Sequence, residues 1–129
     1  SSAWKTHIAL FGGLGESGLL QDFWLYEVEA ARWMEGDNPL FQGASPPALT
    51  KACMVSVDAS LVVFGGRDVN NSQSDVSYSF SDQPDWLGFG DSTNPDIVYK
   101  WSKLVSTGTA PAVEGHACTA VNSSCFLVF

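Results

Sequence analysis

The sequence predicts an all-β protein made of repeated four-stranded antiparallel units, and three observations carry that prediction. An apolar run closed by paired glycines, Leu61-Val-Val-Phe-Gly-Gly66, occurs earlier as Ile8-Ala-Leu-Phe-Gly-Gly13. Its apolar part returns a third time as Phe126-Leu-Val-Phe129. Between the first two runs lies the segment from Gly36-Asp-Asn-Pro39 to Gly43-Ala-Ser-Pro-Pro47, where proline removes ladder donors and glycine adds backbone freedom, so it is expected to link two units without regular structure. Four or five residues of high β propensity suit a buried strand, and a glycine pair lets the chain turn with positive φ. Self-similarity of this kind marks a repeat architecture.

Taken in order, His7 to Gly13 is the first strong strand and Leu14 to Gln21 a glycine-marked loop. Asp22 to Val28 suits a strand covered on both faces. A helix from Leu19 to Met34, supported by Leu20, Trp24, Glu27, Ala30 and Ala31, competes with it, and the repeat context favours the strand. Glu29 to Arg32 is then a turn and Trp33-Met-Glu35 a strand. Lys51 to Val57, Asp58-Ala-Ser60 and Leu61 to Phe64 read as strand, turn and strand, and Gly115 to Val121, Asn122-Ser-Ser124 and Cys125 to Phe129 reproduce that hairpin. About twenty residues separate Asp75–Phe80 from Trp101–Leu104, where the matching gap from Val28 to Trp33 is short, so the second unit carries an insertion over 81–98. The expected organisation is a partial unit in 1–36, a full unit in 44–105 and the start of another in 108–129.

With 129 residues, 45% of them apolar and 16% charged, the chain is long enough for one packed core. A formal charge of −8 from 14 acidic and six basic residues excludes a duplex phosphate backbone as partner. No segment reaches the ~18 apolar residues of a membrane span, and no signal segment is visible. Cys53, Cys118 and Cys125 form no C-x-x-C pair, and their odd number favours buried free thiols and an intracellular setting; a Cys118–Cys125 bridge across the last hairpin is the alternative. Asn70-Asn-Ser72 and Asn122-Ser-Ser124 match the glycosylation acceptor pattern, which matters only in a secreted chain.

The order of these features resembles the kelch repeat of β-propellers: an apolar run with Gly-Gly, an aromatic-rich strand and a spaced Trp. The matching residues are Gly12, Gly13, Tyr26 and Trp33 in the first unit and Gly65, Gly66, Tyr78 and Trp101 in the second, with Gly115-His116 similar to the family's Gly-His pair. Two features depart from the pattern: Val113 and Glu114 stand where an arginine commonly precedes that pair, with Lys51-Ala52 in place of the pair in the earlier copy, and Ser79 stands in the place of Tyr26, with Tyr78 and Phe80 close enough for a register shift to compensate. The resemblance implies a kelch-type propeller segment of four-stranded blades, incomplete on its own. Further blades of the same chain or other subunits would complete it.

By analogy of fold, the implied function is a non-catalytic protein interaction or assembly module, with no cofactor, no metal and no catalytic residues. The alternative is part of a kelch-propeller enzyme, such as a metal-dependent oxidase, whose active site lies on other blades. His7 and His116 fit structural hydrogen bonding, and Trp33 and Trp101 fit packing between blades. The insertion holds Asp82, Asp85, Trp86, Leu87, Phe89, Asp91 and Asp96 without a basic residue from Ser81 to Asp96. Exposed aromatics among acids suit a protein partner with a basic contact surface; the alternative is that Trp86 and Phe89 pin the loop onto its own blade. The aspartates lack the spacing of a calcium loop, and Gly12-Gly-Leu-Gly15 lacks the helix of a nucleotide-binding turn.

Overall fold

The computed structural model describes residues 2–5, 7–35, 41–84, 97–105, 107–122 and 126–128. Among them there is no helix and no closed barrel; the chain forms three sheets. The first has the order β1-β2-β3-β4, from β1 (Ser2–Trp4), β2 (His7–Gly15), β3 (Gly18–Glu27) and β4 (Arg32–Glu35). The second has the order β5-β9-β8-β7-β6, from β5 (Phe41–Gly43), β6 (Cys53–Val57), β7 (Ser60–Phe64), β8 (Ser77–Pro84) and β9 (Ile97–Leu104). The third is a hairpin of β10 (Cys118–Ala120) and β11 (Phe126–Val128).

The first unit therefore carries four strands where the sequence suggested part of a unit. The expected loop over 14–21 is mostly ladder: β2 and β3 pair as far as Gly15↔Gly18, leaving a two-residue turn. No helix forms over 19–34, because β3 takes the antiparallel pairing offered by β2 on one side and β4 on the other. Along β3, Phe23 and Leu25 are buried while Trp24 and Tyr26 are only partly covered, so the strand buries one face and not the expected two.

In the second unit β6 to β9 form an antiparallel meander, and β5 adds a short parallel edge beside β9, so Phe41–Gly43 is strand within a segment expected to hold no regular structure, its backbone pairing with Tyr99–Trp101. Ladder pairing between β8 and β9 extends to Pro84↔Ile97, so residues 81–84 and 97–98 are strand and the intervening connection is shorter than the 81–98 insertion expected. Residues 85–96 lie outside the described residues. In the last hairpin the first strand is confined to Cys118–Ala120, and His116 precedes it instead of lying on it.

The core lies between the first two sheets. Trp4, Ala9, Phe23 and Leu25 from the first meet Leu61, Val63, Phe80 and Trp101 from the second, with Leu49 of the connecting segment among them. Phe23 packs edge-on against Phe80 at 4.6 Å and Trp101 at 5.1 Å between ring centroids. Burying a side chain of this size contributes roughly 1.5–3 kcal/mol. Trp4, for which the sequence suggests no role, is completely buried and donates its indole N–H to the Ala59 carbonyl at 3.0 Å.

The paired glycines are where consecutive units meet. Gly13 donates its N–H to Leu49 O at 3.0 Å, and Gly66 donates to Val113 O at 2.7 Å. Both acceptors belong to the segment leading into the next unit's first strand. Gly12 and Gly65, at φ +59° and +72°, leave room for that segment: a Cβ on either would stand 2.7 Å from the same two carbonyl oxygens.

Cys53 and Cys118 form a disulfide between β6 and β10, which corrects the expectation of free thiols and the alternative Cys118–Cys125 bridge. Their separation of 65 residues matches the repeat interval from Phe64 to Phe129, so the bridge joins corresponding positions of neighbouring units. Pairing at this distance in sequence is invisible to a search for short motifs. It also removes the argument for an intracellular setting that rested on unpaired cysteines. Cys125 lies outside the described residues.

Candidate functional site: an open aromatic sheet face

Alternation places Ile8 and Leu10 of β2, Trp24 and Tyr26 of β3 and Trp33 of β4 on one face of the first sheet, because directly paired residues in an antiparallel ladder project to the same side. Ile8 pairs with Tyr26, Tyr26 with Trp33, and Leu10 with Trp24. The rings touch one another: Tyr26 and Trp33 lie 4.9 Å apart, and Trp24 and Trp33 stand at 89° with centroids 6.2 Å apart. Asp22 accepts the Trp24 indole N–H at 2.9 Å and so fixes that ring. Leu10, Gly12, Leu20, Asp22, Trp24 and Trp33 line a shallow groove of about 490 Å³.

The ladders give the register between units. Leu61 pairs with Phe80, Phe80 with Trp101, and Val63 with Tyr78, which makes Phe80 the counterpart of Tyr26 and Tyr78 the counterpart of Trp24. The sequence alignment that set Ser79 opposite Tyr26 is thus off by one residue, and the apparent departure disappears.

Corresponding positions differ sharply in burial. Trp101 is 4% exposed and Trp33 51%; Leu61 is 0% and Ile8 43%; Val63 is 1% and Leu10 40%. In the second unit this face is covered by the first sheet, whereas in the first unit it is open. Trp33, expected to pack between blades like Trp101, is therefore the largest exposed ring of the described surface. Asp22 and Glu35 are exposed on the same apolar face.

Of the residues singled out in the insertion, Asp82 alone is among those described. Asp85, Trp86, Leu87, Phe89, Asp91 and Asp96 lie outside the described residues. Asp82 is described, and it belongs to β8 and not to a loop. It forms an ion pair with Lys5 at 2.6 Å, so it has a counter-ion from the first sheet that the local sequence did not reveal.

A second cluster closes the junction of the second and third sheets. Arg67 binds both carboxylate oxygens of Glu114, through Nε at 2.9 Å and through Nη2, and Lys51 approaches at 3.6 Å. An arginine from the second unit thus meets the acid that stands near the Gly-His pair. The Arg67 hydrogen bonds, aided by the charges of Arg67 and Lys51 and opposed by partial burial, pull the Glu114 carboxyl down from 4.5 to about 2. Its contribution to stability is complete above pH 4.5 and is lost as pH falls through about 2. Thermal melts should therefore show a fall in stability across that acid range, and Glu114→Gln should flatten that part of the profile.

Beside this cluster, His116 lies edge-on to Phe64 at 5.6 Å, and both its ring nitrogens are buried without a hydrogen-bond partner among the described residues. The hydrogen-bonded histidine expected from the repeat is not what forms; the imidazole packs as an aromatic. His7, in β2, stands 5.9 Å from the Trp4 ring. Among the described residues no three His, Cys, Asp or Glu converge as a metal site, and no helix is long and apolar enough to cross a membrane.

No family model matches the chain. It is similar to Kelch domain-containing protein 2 of Rattus norvegicus and of Homo sapiens, with 26% identity over 92 residues, covering 71% of this chain. That match spans 19% of the length of those proteins. The Rho GTPase-activating protein gacHH of Dictyostelium discoideum is 23% identical over 120 residues, 92% of this chain and 7% of that protein. The similarity is kelch-like and falls on a small part of much longer relatives.

Proposed function

We propose that the chain is a non-catalytic protein interaction and assembly module of the kelch type. The observation that carries this reading is the open face of the first sheet, whose counterpart in the second unit is buried against another sheet. Similarity to a kelch domain-containing protein supports it. In the finer reading, Trp86, Leu87 and Phe89 contact a protein partner, while Asp85, Asp91 and Asp96, with the formal charge of −8, favour a basic surface on it and make binding salt-sensitive. Asp82, already paired with Lys5, contributes less to that field.

The test is sedimentation velocity on the 129-residue chain. Exposed aromatic surface of this extent should drive association that rises with protein concentration. A double variant, Leu10→Glu with Trp33→Glu, should return the chain to a monomer with its β circular dichroism unchanged. A wild-type chain that stays monodisperse at high concentration, with the variant indistinguishable from it, would count against the assembly reading.

A further inference from the structure

We propose that Asn70 is a glycosylation site: its carboxamide carries an N-linked oligosaccharide, added on the same oxidising route in which the Cys53–Cys118 bridge forms. Two independent observations meet in this assignment. Asn70-Asn-Ser72 is an acceptor pattern with no proline at its middle position, and the disulfide supplies the condition under which that pattern has meaning. A reducing cytosol keeps thiols apart. A bridge that joins β6 to β10 across 65 residues therefore points to a compartment where disulfides persist, on the export route that also holds the glycosylation machinery.

The fold presents the acceptor. After Gly66 the chain forms a small hairpin of its own, closed by the bridge between Arg67 and Gln73, with Val69 and Asn70 at its tip. Asn71 donates its N–H to the Asp68 carbonyl at 3.0 Å, and the Asp68 carboxylate accepts the N–H groups of Asn70 and Ser72 at 2.9 and 3.0 Å. Asp68 thus sets the turn, and among the described residues Asn70 enters it through its backbone alone, which leaves the carboxamide unused. Val69, Asn70, Asn71 and Ser72 are all exposed, so an oligosaccharide there displaces no buried contact. The first unit has only a two-residue turn at the matching place, so the hairpin belongs to the second unit and not to the repeat. The other acceptor pattern carries no such argument: Asn122 is already engaged, and Ser123 and Ser124 lie outside the described residues.

The modification takes a lipid diphosphate-linked oligosaccharide as donor and a transferase of the export route as catalyst. Asn70 Nδ2 attacks C1 of the sugar at the diphosphate end; the N–C1 bond forms, the C1–O bond breaks, the lipid diphosphate leaves and one amide proton is lost. Nothing is oxidised or reduced. The assignment stands whether or not the open face of the first sheet takes a partner.

The test is peptide mapping of the protein isolated from its source cells, alkylated without reduction and digested with and without a peptide N-glycosidase, which leaves aspartate at a released site. The peptide holding Asn70 should be missing at its unmodified mass, and should appear with aspartate at position 70 only after the glycosidase. The same digest should hold Cys53 and Cys118 as one linked peptide. Recovery of the Asn70 peptide mainly at its unmodified mass in the untreated digest would overturn the proposal, whether the cysteines come out linked or alkylated. A second arm secretes the 129-residue chain from a eukaryotic host behind a cleaved signal. Ser72 serves the turn through its backbone N–H and carbonyl, so Ser72→Ala should fold and lose the modification at position 70, while Ser72→Thr keeps it. A wild-type chain secreted with position 70 unmodified, or a modification there that survives Ser72→Ala, would equally sink the assignment.

Discussion

Gly65→Ala is expected to lower the free energy of unfolding by about 2–3 kcal/mol, the sum of left-handed backbone strain, on the order of 1–2 kcal/mol, and a weakened hydrogen bond of about 1 kcal/mol. Gly65 sits at φ +72°, where an L side chain is strained, and its new Cβ would stand 2.6 Å from His116 Cε1 and 2.7 Å from Val113 O. The clash falls on a backbone carbonyl that accepts the Gly66 N–H, so relief requires moving the segment that joins the second and third sheets. Gly115→Ala is the matched control. It has a similar φ of +63° but nothing within 4 Å of the added Cβ, so it should cost only the strain, about 1 kcal/mol. Urea unfolding of both variants gives the comparison; equal losses would show that conformation alone, and not the close approach, demands glycine at position 65.

Trp101→Ala is expected to cost about 3 to 5 kcal/mol, the range for deleting a large buried aromatic. Its ring is buried among Phe11 at 5.9 Å, Phe23 at 5.1 Å and Phe80 at 5.0 Å, all in the core between the first two sheets. Deletion forfeits the transfer energy of the indole and leaves a cavity walled by rigid rings that cannot collapse around it. The sharper test is the contrast with Trp33→Ala at the corresponding position, where an open face means no cavity and a loss below about 1 kcal/mol. Thermal and chemical unfolding of the pair would expose an error in the assigned register if both cost the same.

Much of the architecture was legible because it is written in local pattern. Apolar runs, paired glycines and turn clusters located β2, β3, β6, β7, β8 and β9, since strand alternation and turn chemistry act over a few residues. The alignment between units was legible only to within one residue. A period of two makes Tyr78 and Phe80 equivalent in sequence, and assigning Phe80 to the place of Tyr26 required the ladder that pairs Phe80 with Leu61. The site was less legible. An insertion stands out in sequence and points to Trp86 and Phe89, whereas Trp33 and Trp101 are identical in local pattern and differ only in what covers them.

By itself the sequence determined the all-β class, the recurrence of the apolar run with paired glycines, the positions of Gly12, Gly13, Gly65 and Gly66, and a formal charge of −8. Those properties depend on composition and on neighbours in the chain. Only the tertiary structure decided that Trp101 is buried and Trp33 open, that Asp82 meets Lys5, that Arg67 grips Glu114, and that Cys53 bonds Cys118. Each of these turns on which surfaces lie against each other. Identical local patterns acquire different energies when the face that carries them is covered in one sheet and open in the other.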